Sequence, residues 1–273
     1  MDLDAYLHRI GVPDTRTPDL ATLRRIALGH ATTIAFENLD PFLGREVSVD
    51  PDALVAKLVD GRRGGWCFEL NGLLRAALDE LGYATTGLAA RVLWGRPDGA
   101  PATSRGHMLV RVDLAEGPHL VDVGFGGLTL TGVLALVPDA VQETPHEPFR
   151  VREVPRDASG AAGLVMEALV AGTWRPLYRF DLAEQLPVDY ALTSWYLAHH
   201  PDSHFRHGIM VARPGNGVRH ALGGHVLTVH HLDGPSERTE LPTPAAVIDV
   251  LGGTFGLATD DLDGLETALK RLF

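Results

Sequence analysis

The sequence predicts an α+β protein in three successive parts. These are a mainly helical part over 1–85, a strand-rich part over 86–190 and a part mixing helix and strand over 191–273. Three observations carry this reading. Apolar residues repeat at helical spacing up to Gly82. From about Thr86 they follow the shorter period of strands, broken by Gly, Pro and Asp turns. After about Asp189 both periods occur.

In the first part, Thr17 with Pro18 signals a helix start, and Leu20, Leu23, Ile26 and Ala27 supply its apolar stripe. Asp50 and Pro51 repeat the signal ahead of Leu54, Val55 and Leu58. The strongest helix follows Gly64-Gly65-Trp66-Cys67. Its Leu70, Leu73, Leu74, Ala77, Leu78 and Leu81 fall at i, i+3, i+4 spacing, and Gly82 ends it. Strands are expected over Gly87–Trp94, His107–Leu114, His119–Val123, Leu164–Val170 and Trp174–Phe180. A small antiparallel barrel or sandwich accommodates so many short strands. The last part is expected to hold a helix over Asp189–His199 and strands over Ile209–Ala212 and Gly224–His230. A helix from Thr243-Pro244 to Gly252 and a final helix over Asp260–Phe273 complete it.

The 273 residues carry 24 Lys and Arg against 35 Asp and Glu, a net charge of −11. An acidic balance argues against a nucleic-acid binder or a protein held to an anionic membrane, since both need clustered basic residues. One cysteine excludes a disulfide framework and any zinc site with two Cys ligands. The start, Met1-Asp2-Leu3-Asp4, lacks the basic and apolar regions of a signal peptide, and no run of about 18 apolar residues occurs. The expectation is a cytoplasmic protein. Eight of the 13 His lie between His199 and His231, but without recognisable ligand spacing, so no metal site is expected.

A single Cys is usually a small buried hydrophobe. Cys67, however, stands where the strongest helix begins, so N-terminal N–H groups and the helix dipole favour its thiolate. The dipole supplies on the order of 0.3–1 kcal/mol, less than the 1.4 kcal/mol of one pKa unit. Strong activation therefore needs a cationic imidazole beside the sulfur. His107, between a polar loop from Asp98 to Gly106 and the run Met108-Leu109-Val110, is the candidate. Asp122, flanked by Val121 and Val123, is an odd strand residue unless something pairs with it. A hairpin turning at Leu114-Ala115 places His107 opposite Asp122. One turning over Ala115–Pro118 places Asp122 opposite Arg111. Either puts His107 and Asp122 on one face, and the sequence does not choose between them.

Arg63-Gly64-Gly65-Trp66-Cys67-Phe68-Glu69-Leu70-Asn71 resembles the Arg-Gly-Gly-x-Cys-x-Glu-x-Asn signature around the nucleophile of arylamine N-acetyltransferases. Upstream, His30 and Ile34-Ala35-Phe36-Glu37-Asn38-Leu39 extend the similarity, with Ala35 where the family usually has Pro. Downstream come His107, Asp122-Val123-Gly124-Phe125-Gly126 and His200-Pro201-Asp202-Ser203-His204-Phe205. Ser194 stands near where an Asn is common. The resemblance covers about residues 1–205.

It implies a Cys67-His107-Asp122 triad within a cysteine-protease-like core, in a fold of three parts: a helical bundle over 1–85, an antiparallel β-barrel over 86–190 and an α/β lid over 191–273. Acetyl-CoA serves as co-substrate rather than as a permanent cofactor, and a small aromatic amine or hydrazine accepts the acetyl group. Phe36, Phe125 and Phe205 resemble residues that line the acceptor pocket. Thr103, Ser104, Gly124, Gly126, Gly127 and Thr129 resemble those that meet CoA, with glycines letting backbone N–H groups approach phosphate. A monomer or homodimer is expected. The alternative within this fold is an amide synthase closing a macrolactam in polyketide antibiotic biosynthesis. A Cys-His-Asp hydrolase or transglutaminase, or a binding module with an inert Cys67, are rivals of other classes.

Overall fold

The computed structural model describes residues 1–97, 99–155 and 163–273. Asp98, at the start of the polar loop before His107, lies outside them.

The first part contains α1 (Leu3–Arg9), α2 (Leu20–Thr33), α3 (Leu39–Leu43), α4 (Pro51–Leu54) and α5 (Cys67–Glu80). A π-helical stretch, Val55–Asp60, continues α4. The expected cap at Thr17 is corrected to Asp19, whose carboxylate accepts from Thr22 N at 2.8 Å. An aspartate one residue past the Pro outcompetes the threonine before it. Asp50 and Gly82 act as expected: Asp50 caps Asp52 N, and Gly82, at φ 89°, adopts the left-handed conformation that ends α5. Helices α1 and α3 are short additions that the apolar period does not mark.

The middle part is a seven-stranded antiparallel sheet in the spatial order β4-β3-β2-β1-β7-β6-β5. Its strands are β1 (Ala84–Val92), β2 (His107–Leu114), β3 (Gly117–Val121), β4 (Leu134–Ala135), β5 (Phe149–Val154), β6 (Gly163–Val170) and β7 (Thr173–Phe180). Strands β4 and β5 were not expected. Gln142 spans the gap between these two edges. Its backbone pairs with Phe149, while its side-chain amide accepts from Ala135 N at 2.8 Å and donates to Ala135 O at 2.9 Å. One side chain thus substitutes for a missing strand and nearly closes the barrel.

Strand β2 is buried on both faces. Leu109 points inward with Leu88, Leu120, Phe149 and Met166. Met108, Val110 and Val112 point outward against Leu70, Leu73, Leu74 and Ala77 of α5. Two-sided burial explains the unbroken run Met108-Leu109-Val110. It also ties the helix that begins at Cys67 to the barrel.

The last part has α6 (Pro187–His199), a 3₁₀ turn at His204–Arg206, and an antiparallel sheet in the order β11-β10-β9-β8. Its strands are β8 (Met210–Gly215), β9 (Val218–Gly223), β10 (Val226–His231) and β11 (Glu237–Glu240). The missed strand β9 had a readable signal, since Asn216-Gly217 is a strong two-residue hairpin turn and Gly217 takes φ 69°. Helix α7 (Pro244–Gly253) begins as expected, with Thr243 accepting from Ala246 N. The final helix shrinks to α8 (Leu265–Leu269) and a 3₁₀ turn, Lys270–Leu272. Gly264, left-handed at φ 80°, delays its start. Ile209, Val211, Leu222, Val247 and Leu251 form a core with Ala35, Leu39 and Phe42, joining lid to bundle.

Candidate active site

Cys67 is the first residue of α5. The loop that delivers it lies across the strand-like segment 35–37. Gly65 N donates to Ala35 O, and Glu37 N donates to Gly65 O. A Cβ on Gly64 would lie 2.2 Å from Ala35 O, and one on Gly65 would lie 2.9 Å from Glu69 Cβ. The two glycines are therefore required by close packing. Alanine at position 35 suffices because its carbonyl makes the contact.

Beneath this loop sits a buried charge network. Lys57 Nζ lies 2.6 Å from both Asp40 Oδ2 and Glu69 Oε1. Arg63 Nη2 lies 2.6 Å from Glu37 Oε1 and 3.3 Å from Asp40 Oδ1. Glu69 Oε2 also accepts from Trp66 N, capping α5. Burial disfavours the Lys57 ammonium, but Glu69, Glu37 and Asp40 together raise its pKa above the usual lysine range. Burial likewise opposes the Asp40 carboxylate, which Lys57 and Arg63 hold below its ordinary value.

His107 opens β2 and Asp122 follows the end of β3. The hairpin takes neither register considered from sequence. Leu114 pairs with Gly117 across a two-residue turn at Ala115-Glu116, and Val110 pairs with Val121. Extending this register sets Asp122 opposite Leu109, so His107 is its diagonal neighbour on the same face. Strand β3 ends at Val121, one reason being that the Asp122 side chain turns to local partners. Asp122 Oδ1 accepts from Gly124 N and Asn71 Nδ2, each at 3.0 Å, and Oδ2 lies 2.7 Å from His107 Nε2.

His107 and Asp122 are 3% and 1% exposed. Burial works against the imidazolium, but the Asp122 charge and hydrogen bond overcome it. A hydrogen bond and charge from Cys67 act in the same direction, and the His107 pKa is raised to about 10. Burial also opposes the Asp122 carboxylate, yet His107, Asn71 and Gly124 lower its pKa overall. With Nε2 held by Asp122, Nδ1 remains for the sulfur. Phe125 meets the imidazole edge-on at 5.2 Å, and Tyr178 packs on it at 4.7 Å between ring centres.

Two residues had roles that sequence reasoning missed. Asn71 Nδ2 donates to Met108 O at 2.8 Å as well as to Asp122, and its Oδ1 accepts from Val123 N at 3.0 Å. It clamps α5, β2 and the 122–124 segment together, and the signature Asn was its only trace. Tyr178, in an expected strand, offered no signal that its ring covers His107.

Cys67 and His107 open into a cleft of about 1250 Å³ between barrel and lid. Phe36, Phe125 and Phe205 all line it, as do Thr103, Ser104, Gly124, Gly126 and Gly127. Thr129 does not. It is buried at 3% exposure, with its carbonyl accepting from Arg219 Nη1. Ser194 is buried on the inner side of α6 with its hydroxyl unpartnered, whereas Leu197 of that helix reaches the cleft. Among the described residues no group of three His, Cys, Asp or Glu is placed to hold a metal. Among the described residues no helix is long and apolar enough to cross a membrane.

A family model described as N-acetyltransferase matches residues 19–263. An arylamine N-acetyltransferase of Mycolicibacterium smegmatis is 43% identical over 273 residues, covering 99% of this chain and 97% of that one. The Escherichia coli arylamine N-acetyltransferase is 38% identical, covering 95% and 90%. The solved Mycobacterium marinum arylamine N-acetyltransferase in complex with CoA superimposes with a TM-score of 0.93 at 40% identity, covering 99% and 98%. Fold and relatives together define an acyltransferase built from a helical bundle, a nearly closed barrel and a lid. Within that class the chain belongs to the arylamine N-acetyltransferase family.

Proposed function

We propose that this protein transfers an acetyl group from acetyl-CoA to an arylamine or hydrazine by a ping-pong route through a thioester on Cys67. The observation that carries the reading is the cysteine at a helix start facing an imidazole that a buried carboxylate holds cationic. In the first half-reaction the Cys67 sulfur attacks the thioester carbonyl, and the backbone N–H of Cys67 is the proposed donor to the developing oxyanion. The carbonyl re-forms as the carbon–sulfur bond to CoA breaks. His107 gives its proton to the departing CoA sulfur. In the second half-reaction the amine nitrogen attacks the enzyme thioester and yields its proton to neutral His107. The amide then leaves and Cys67 returns as thiolate beside imidazolium. Asp122 keeps Nδ1 directed at the sulfur and stabilises the charged ring.

Phe36, Phe125 and Phe205 are the proposed acceptor walls, fit to stack one flat ring. Thr103, Ser104, Gly124, Gly126 and Gly127 are proposed to meet CoA. Thr129 is not among them, since it lies outside the cleft with its N–H on Gly126 O and its carbonyl on Arg219. The relatives support the acetyltransferase rather than the macrolactam-forming amide synthase. We assign the nucleophile to a 1–85 unit, His107 and Asp122 to an 86–190 unit and the lid to 191–273, in a cytoplasmic monomer or homodimer.

Intact-mass analysis after incubation with acetyl-CoA alone tests the scheme. One acetyl group is expected, mapped to Cys67 and discharged by an arylamine, with parallel double-reciprocal plots. An unmodified chain that still turns over, or intersecting plots, would sink the covalent route.

A further inference from the structure

Away from the cleft, three arginines meet where the bundle, the nucleophile loop and the lid join. Arg9, the last residue of α1, donates from Nε to Leu58 O at 3.3 Å, in the stretch that leads to Arg62. Arg62 takes a left-handed backbone, φ 49°, and its carbonyl accepts from Ala258 N at 3.1 Å. Arg213 of β8 reaches the same 254–258 loop, with Nη2 2.6 Å from Thr254 O. Gly256 leaves room for it, since a Cβ there would lie 3.2 Å from Arg213 Nη1. The 58–62 and 254–258 segments therefore join the Arg9 and Arg213 side chains to the Arg62 backbone, near enough that the Arg62 and Arg213 charges act on Arg9. Ala212 lines the cleft, whereas Arg9, Arg62 and Arg213 do not.

None of the three forms an ion pair among the described residues. Arg9 and Arg213 are half-buried and Arg62 is exposed. Burial first, then repulsion from Arg62 and Arg213, lowers the Arg9 pKa, and burial lowers that of Arg213. Like charges crowded in a partly desolvated corner destabilise the fold unless a counter-charge occupies it. A left-handed non-glycine residue adds strain at the same place. In a chain of net charge −11, such a focus of positive potential stands apart from its surroundings.

We propose that Arg9, Arg62 and Arg213 form a binding site for a phosphate-class oxyanion, separate from the catalytic cleft. Guanidinium forks suit the oxygens of phosphate or pyrophosphate, and three of them favour the more highly charged ion. Bound anion would brace Arg62, which directly precedes the Arg63-Gly64-Gly65-Trp66-Cys67 loop. The site does not depend on the transferase reading.

Thermal unfolding with inorganic phosphate or pyrophosphate tests this, against sodium chloride at matched ionic strength. For a chain of this size, pyrophosphate at ten times its Kd should raise Tm by roughly 3–6 °C, and phosphate by less. Arg9→Gln and Arg213→Gln should fold, by circular dichroism, and each lose more than half of that rise. Arg213→Lys, which keeps the charge, should retain most of it. Phosphorus NMR of pyrophosphate should broaden with the wild type and much less with the Gln variants. An equal rise in wild type and both Gln variants would place the anion elsewhere, in the cleft for instance, and overturn the proposal. A rise reproduced by sodium chloride, or no rise at all, would overturn it too.

Discussion

His107 Nε2 and Asp122 Oδ2 lie 2.7 Å apart with almost no solvent contact, so the two residues titrate as one unit. His107 is raised from 6.5 to about 10, so its contribution to stability is complete below pH 6.5 and disappears as pH rises through about 10. Asp122 is lowered from 3.8, so its contribution is present above pH 3.8 and is lost as pH falls through the lowered value. The Tm difference between wild type and Asp122→Asn should therefore be greatest between about pH 4 and 6.5 and narrow towards pH 10. A difference that stays constant over that range would refute the coupling. The same substitution should lower turnover on the order of 10³–10⁴, by analogy with the serine-protease aspartate.

Cys67 should alkylate with iodoacetamide at pH 6 faster than free cysteine does. His107, its pKa raised to about 10, shares the cleft with Cys67. Rate measurements from pH 5 to 9 decide this, and a profile matching a free thiol would count against the ion pair.

Asn71→Ala should destabilise the protein by about 2–4 kcal/mol, since it strips partners from Met108 O, Val123 N and Asp122 in a dry interior. Urea unfolding measures the loss. A cost under about 0.5 kcal/mol, the usual scale of a surface change, would show that the clamp is idle.

Gly124→Ala should fold but act poorly. The added methyl would lie 2.7 Å from Cys67 Cα and 2.9 Å from Asn71 Nδ2, so backbone must move next to Cys67, the proposed nucleophile. Overpacking of this kind costs about 1–3 kcal/mol, and a nucleophile displaced by about 1 Å loses on the order of 10² in rate. Comparing kcat with Tm separates the two effects.

Lys57→Met should be strongly destabilising, by about 3–5 kcal/mol, because Asp40, Glu37 and Glu69 are left with Arg63 alone. Adding Glu69→Gln should recover part of that loss by removing one uncompensated charge. Additive losses in the double variant would contradict the shared network.

Helix α5, strand β2 and the candidate triad were legible because each rests on a local signal. For α5 the signal is six apolar residues at helical spacing, closed by a left-handed Gly82. For β2 it is the run after His107, and its bounds match expectation at both ends. Parity alone put His107 and Asp122 on one face, since side chains alternate along any strand. The sequence thus determined the family, the order of parts and the residues brought to the site. Tertiary structure decided the hairpin register, the closure of the barrel by Gln142 and the cap at Asp19. It also decided the clamp by Asn71 and the inward turn of Thr129. The Asn71 and Gln142 contacts are held by side-chain hydrogen bonds, those of Asn71 to backbone groups 37 and 52 residues away and to a carboxylate 51 residues away. Periodicity reports which face of an element is apolar. It carries no information about which distant carbonyl or N–H a polar side chain will meet once those faces have packed.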